Sequence, residues 1–180
     1  MMEIARDLPQ LAWLIPVLPL LASLLIGARV LLGWGQGDAA EKRTAVLLAL
    51  ACWVSLVLLL AIDLSVLWLG WPGHHVYARW FAADHWQGNF SLLLDALSLP
   101  LGTLVALIGL LVVRFSTNYL HREPGYHRFF IILAFFLSGI QCVLLSGNGL
   151  LAFVGWEMCG VSSFLLIAYA WHRPIATGNA

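Results

Sequence analysis

Five long apolar runs constrain this sequence more than any other feature. Each is about 20 residues long, the length that an α-helix needs to cross the hydrocarbon core of a membrane. Of the 180 residues, 62% are hydrophobic and only 10% are charged, whereas ordinary soluble domains have roughly 25% charged residues. We therefore predict an all-α integral membrane protein of about five transmembrane helices. The helices are expected at 11–32, 44–69, 95–119, 126–145 and 150–171.

The longest connection, at 70–94, interrupts the hydrophobicity with glycine, proline, histidine and asparagine. It keeps the tryptophan, tyrosine and phenylalanine side chains that favour the membrane interface, so we interpret it as an interfacial outer loop in which a β-hairpin fits. The chain then divides into helices 1 and 2 with this loop (1–94), helices 3 and 4 (95–149), and helix 5 with a polar tail (150–180).

The distribution of basic residues predicts the orientation of these helices. With five spans, one side receives seven lysines and arginines, and the other receives only Arg6 and Arg79. Because cytoplasmic loops collect basic residues, we expect the N-terminus and the interfacial loop to face outward. The expected location is the cell inner (plasma) membrane, with a multi-pass topology.

Composition and motifs exclude several function classes. Nine basic and nine acidic residues cancel, so the chain lacks the basic field that attracts nucleic acid. Cys52, Cys142 and Cys159 lie far apart inside apolar runs and lack the spacing of zinc or iron-sulfur ligands. A dinucleotide-binding glycine pattern is also missing, so we expect no cofactor and no redox chemistry in this chain.

The outer loop raises one metal hypothesis. His74, His75 and His85 share it with Asp84, and imidazoles together with a carboxylate are able to bind zinc or copper. Their spacing matches no strong motif, so we favour solvated interface histidines and expect no metal site.

Glu157 is the residue that most strongly indicates function. It is the eighth residue of the predicted helix 5, roughly 10 Å inside the membrane. A charge near the bilayer centre costs about 2.5–3.5 kcal/mol, and such residues usually face a protein interior, a partner charge or a water-filled path. A desolvated carboxyl group favours its protonated form, which makes Glu157 a candidate site of proton translocation. The alternative is an acid that stays neutral and serves only packing.

The helical periodicity predicts two different faces on helix 5. Opposite Glu157 is a stripe of small residues that lets another helix approach closely, namely Gly155, Cys159, Ser162 and Ser163. Beside the acid is a mostly apolar set consisting of Phe153, Val154, Gly160, Val161 and Phe164. We therefore expect helix 5 to be packed on both sides.

Five further residues are candidates for supporting roles. Asp95 opens helix 3, where an aspartate caps free backbone amides. His121 and His127 flank the cytoplasmic turn, where they either relay protons near neutral pH or serve only the loop. Arg114 and Arg128 belong to the cytoplasmic ends of helices 3 and 4, too far from Glu157 to compensate its charge.

Four stretches of this sequence resemble a known family. They are 95–98 (DALS), 125–130 (GYHRFF), 155–157 (GWE) and 160–163 (GVSS). In this order they resemble the N-terminal part of subunit L, or chain 5, of respiratory complex I, an NADH:quinone oxidoreductase, in the proton-antiporter superfamily.

The resemblance implies a function and partners. The family's glutamate that matches Glu157 pairs with a lysine on a later helix, and the pair takes part in proton translocation. Quinone and NADH chemistry then belongs to partner subunits, and this sequence is expected to be part of a longer transporter. A sodium/proton antiporter subunit or the membrane subunit of an inorganic-carbon uptake complex shares the motifs. An inert membrane anchor or assembly protein is the third hypothesis.

Overall fold

The structure is a computed structural model that describes residues 7–83 and 86–170. Its elements are α1 (Leu14–Leu31), α2 (Asp38–Leu69), β1 (Gly73–Ala83), β2 (Trp86–Leu94), α3 (Ser98–Tyr119), α4 (Tyr126–Leu145) and α5 (Gly149–Ile167). Short 3-10 turns precede α1 at Leu8–Leu11 and follow α5 at Ala168–Ala170. Within the described part of the chain, five helices are long and apolar enough to cross a membrane. This confirms the prediction of a multi-pass membrane protein.

Helix α1 contains prolines, and neighbouring helices supply the hydrogen bonds that its backbone needs. Pro19 has no N–H group, so the carbonyl of Ile15 loses its usual helical partner. The hydroxyl of Ser55 on α2 donates to this carbonyl at 3.2 Å, and the hydroxyl of Ser138 on α4 donates to the Pro16 carbonyl at 2.7 Å. In lipid, where water is absent, such bonds are what makes a proline-containing helix tolerable.

Helix α2 begins at Asp38, six residues earlier than predicted. The prediction was wrong because it assigned the polar residues 38–43 to a turn on hydropathy alone. Asp38 and Glu41 lie in the first turn, where negative side chains complement the positive end of the helix dipole. A polar first turn therefore extends α2 beyond its apolar segment.

The connection at 70–94, which the sequence predicts to be an interfacial loop, contains an antiparallel β-hairpin, so the fold is all-α except for β1 and β2. The strands pair from Gly73 opposite Leu94 to Ala83 opposite Trp86, with two register shifts. An isolated hairpin is marginally stable, and this one is attached to the bundle. The hydroxyl of Tyr77 donates to the Pro9 carbonyl, and burial raises the pKa of Tyr77 to about 12.

Helix α4 lies at the centre of the bundle. It packs against α1, α3 and α5 and also contacts α2. Its buried side chains include Phe130, Leu137 and Leu145, and the core of the bundle continues through Ile15, Leu59 and Leu99 on the neighbouring elements. Helix α5 lies at the edge, where it packs against α4 and contacts β2.

Candidate functional site

Glu157 lies near the middle of α5. The start of this helix is fixed by Asn148, whose side-chain Oδ1 accepts a hydrogen bond from the backbone N–H of Leu151 at 2.8 Å. At a rise of about 1.5 Å per residue, Glu157 is about 12 Å along the helix axis from Gly149. The carboxyl group is therefore within the apolar span, away from both of its ends.

One face of α5 packs directly against the backbone of α4. A Cβ atom at Gly155 would lie 2.7 Å from the carbonyl oxygen of Gly139, so no side chain fits between the helices at this point. Ser162 is fully buried on the same face. This confirms the predicted close approach, which small residues permit between membrane helices. Ser163, however, is exposed, because it lies about 80° around the helix from Gly155.

The face of α5 that carries Glu157 is uncovered. Glu157 is exposed, and within residues 7–83 and 86–170 its carboxylate has no ion pair or hydrogen bond. Its surroundings are apolar side chains that are each more than half exposed, namely Phe153, Trp156, Val161 and Phe164. The described residues therefore do not form the two-sided packing that the sequence predicts. They form an apolar surface with one carboxyl group in it.

The two candidate arginines lie away from this carboxyl group. Arg114 is exposed on α3. Arg128, in the first turn of α4, donates a hydrogen bond to the carbonyl of Tyr169, and its guanidinium carbon lies 5.5 Å from the centre of the Tyr169 ring. Tyr169 is about 18 Å beyond Glu157 along the axis of α5 and its terminal turn. Arg128 thus fastens the end of α5 to α4, and Glu157 has neither arginine as its partner.

The turn between α3 and α4 and the first turn of α4 are bound to the first turns of α2 by three side-chain pairs. Each partner on α2 is three residues from the next, which places them on one face. The pairs are Arg122 with Asp38 at 2.9 Å, His121 with Glu41 at 2.9 Å, and His127 with Thr44 at 2.9 Å.

The sequence singles out the two histidines that flank this turn, but not their partners on α2. The signal that could have placed these partners in a helix was the pair of acids, Asp38 and Glu41, since acidic residues are typical of a helix N-terminus. Arg122 has a positive φ of 63°, and its hydrogen bond to Asp38 holds the pKa of Arg122 above its usual value. The three pairs thus fix the turn to α2.

Asp95 caps the start of α3, as the sequence predicts. Its Oδ1 accepts hydrogen bonds from the backbone N–H groups of Ser98 at 2.8 Å and Leu97 at 3.0 Å. The hydroxyl oxygen of Ser98 accepts from the N–H of Asp95 at 2.9 Å, which makes the arrangement reciprocal. These bonds to Ser98 and Leu97 hold the pKa of Asp95 below its usual 3.8. The Oδ1 atom of Asp95 thus organises the helix start.

The histidines of the hairpin do not converge in the described structure. His74 and His75 are adjacent in β1, so their side chains point to opposite faces of the strand. His74 Nε2 lies 3.2 Å from the carbonyl oxygen of Gly147. Among the described residues, no group of three potential metal ligands is found. Asp84 and His85, the other members of the hypothetical metal site, lie outside those residues.

Comparison with known proteins gives one family match. Residues 80–130 match the family described as NADH-Ubiquinone oxidoreductase (complex I), chain 5 N-terminus. The matched segment contains Asp95, Arg114, His121, His127 and Arg128 and ends before Glu157.

Curated relatives match nearly the whole chain. The chain is 32% identical to NAD(P)H-quinone oxidoreductase subunit 5 of Ceratophyllum demersum, a chloroplastic protein, over 93% of the chain and 22% of that relative. It is 33% identical to the protein of the same name from Manihot esculenta, with the same coverage. The chain thus spans about a fifth of the length of the curated relatives it matches.

Proposed function

Because this chain belongs to the family of complex I chain 5, whose N-terminal part it matches, we propose that it acts within a proton-translocating membrane subunit of an NADH:quinone oxidoreductase. Glu157 is the proton site of this proposal. Residues 95–149 are its chain 5 N-terminal region, and 150–180 begin its proton-conducting transporter domain.

The position of Glu157 carries the proposal. A charged carboxylate in contact with lipid near the bilayer centre is costly, at about 2.5–3.5 kcal/mol. This cost favours contact of the uncovered face around Glu157 with further helices over its contact with lipid. Once covered, the acid sits in a desolvated setting where its protonated form is favoured unless a cation approaches. A cation that approaches and withdraws would make the carboxyl group release and regain a proton.

The proposal assigns the remaining chemistry to partners. The compensating cation is a lysine on a helix outside the described residues, and NADH and quinone reactions belong to other subunits. With the excess of basic residues on the cytoplasmic side, the hairpin and the N-terminus face outward. The membrane is the inner (plasma) membrane of a cell.

The experiment compares two isosteric substitutions in the full-length protein within its assembled complex. Glu157→Gln removes the ionisable group, and Glu123→Gln makes the same change at an exposed residue of the α3–α4 turn. NADH-driven proton uptake into sealed vesicles is measured beside NADH:quinone electron transfer. We expect Glu157→Gln to lower the number of protons moved per electron pair by a measurable fraction, and Glu123→Gln to leave it at the wild-type value.

Two outcomes would contradict the proposal. Equal proton yields in the two variants would favour the membrane-anchor hypothesis. Proton movement that depends on an opposing sodium gradient and not on NADH would favour a sodium/proton antiporter subunit.

A further inference from the structure

The first turns of α2 carry both acids and bases. Asp38 and Glu41 face the α3–α4 turn, where Asp38 forms an ion pair with Arg122 and Glu41 Oε2 lies 2.9 Å from His121 Nδ1. Lys42 and Arg43 follow directly in the sequence, and both are exposed. The acids of this region are thus already engaged, and the two bases are left on the side where α1 ends.

Arg29, in the last turn of α1, joins these bases around one groove. The groove has a volume of about 440 Å³ and is lined by Arg29, Lys42, Arg43 and, farther along α2, by Val46, Leu47 and Leu50. Leu50 is about 10 Å along the helix axis from Arg43. The groove is therefore cationic at the end of the span and apolar towards the membrane interior.

None of the three cations has an acidic partner within residues 7–83 and 86–170. Like charges that converge on one groove repel each other, and an anion between them removes that repulsion. Clusters of basic residues beside membrane-spanning helices bind the headgroups of anionic lipids. A free anion would contact only the cationic end of the groove. A lipid also contacts the apolar wall of Val46, Leu47 and Leu50 with its acyl chain.

We propose that this groove binds one anionic phospholipid. The phosphate lies between Arg29, Lys42 and Arg43, and an acyl chain follows Val46, Leu47 and Leu50 along α2. The assignment goes beyond proton translocation and does not depend on Glu157. It gives the α1–α2 end of the bundle a lipid that neutralises three adjacent cations.

The test uses native mass spectrometry of the full-length protein, released from membranes that contain equal amounts of phosphatidylglycerol and phosphatidylcholine. The variant changes Arg29, Lys42 and Arg43 to glutamine, and its matched control is Arg79→Gln, an exposed arginine on the hairpin. A basic residue near the membrane surface contributes about 1 kcal/mol to anionic-lipid binding, or about a fivefold change in affinity. We expect Lys42→Gln alone to weaken phosphatidylglycerol binding about fivefold and the triple variant about 100-fold.

The apolar wall and the source of the phosphate are tested separately. Leu50→Asn should also weaken retention of phosphatidylglycerol, because it places a polar group against the acyl chain. Excess inorganic phosphate should not displace the lipid. Circular dichroism verifies that each variant keeps its helices.

Three results would overturn the proposal. If the protein retained phosphatidylcholine to the same extent as phosphatidylglycerol, the lipid's negative charge would have no role in binding. The triple variant binding as tightly as Arg79→Gln would remove the role of these cations, and displacement by inorganic phosphate would indicate a site for the free anion.

Discussion

Replacing Gly155 by alanine tests whether the contact between α4 and α5 is as close as the structure has it. The new Cβ atom would lie 2.7 Å from the Gly139 carbonyl oxygen, 2.8 Å from Cys142 Cβ and 2.9 Å from the Val143 nitrogen, whereas ordinary contact begins at 3.4 Å. Two of these three atoms belong to the backbone, so no change of rotamer relieves the overlap. The helices have to separate.

The expected change in the free energy of unfolding follows from two opposing effects. Overpacking of this kind costs about 1–3 kcal/mol, and alanine gains up to about 1 kcal/mol over glycine in a helix interior. Gly27→Ala is the matched control, because it makes the same change in the interior of α1, where the nearest atom among the described residues would be Ile131 Cδ1 at 4.0 Å. We therefore expect Gly155→Ala to be less stable than Gly27→Ala by about 1–3 kcal/mol.

Unfolding of the full-length protein in mixed micelles measures this difference. Increasing amounts of a denaturing detergent unfold each variant, and far-ultraviolet circular dichroism records the loss of helix. Equal midpoints for Gly155→Ala and Gly27→Ala would refute the close packing of α5 on α4.

Two further predictions concern the end of the bundle that carries the hairpin. Asn148→Ser keeps a residue that caps α5 well but removes two hydrogen bonds of 2.7 Å, from Asn148 Nδ2 to the Asn89 carbonyl and to Ser91 Oγ. At about 1 kcal/mol for each bond, hydrogen exchange in β2 should become about 5–30 times faster, while exchange in α2 stays unchanged. Unaltered exchange in β2 would contradict the attachment of β2 to Asn148. The pKa of Asp95 is lowered in the folded state, so its contribution to stability is present above its usual pKa of 3.8 and is lost as the pH falls through the folded value. Asp95→Asn should therefore flatten the pH dependence of the melting temperature below pH 3.8. A variant with the wild-type slope would disprove this role of Asp95.

The five spans were predictable because a membrane sets their length. An uninterrupted apolar run of about 20 residues has few alternatives to a helix that crosses a bilayer. The start of α2 was not predictable in this way, since residues 38–43 lie beyond the apolar run and carry charges. Their helical state is stabilised by Arg122 and His121, which are about 80 residues away in the sequence and invisible to a local pattern.

The candidate site was predictable on one side only. Helical periodicity is enough to place Gly155 and Ser162 opposite Glu157, since it needs only the position of each residue along one helix. It failed for Ser163, which lies at the edge of the packed face. What covers the face of Glu157 depends on the helices that pack against it, and the side chains of those helices cannot be predicted from the sequence of α5.

Three serine hydroxyls hold α1 in register with its neighbours. Besides Ser55 and Ser138, which donate to carbonyls of α1, Ser23 of α1 donates to the Ile131 carbonyl on α4 at 2.9 Å. Sliding or turning α1 by one residue would break all three bonds and leave the Ile15 carbonyl, which has no helical N–H partner, unpaired in hydrocarbon, where such a group costs several kcal/mol. Helices α1, α2 and α4 therefore act as an immobile frame. Within the described residues, no side-chain hydrogen bond crosses between α4 and α5 (149–167), so the close packing at Gly155 and the bond from Arg128 to Tyr169 are what hold α5, and with it Glu157, against this frame.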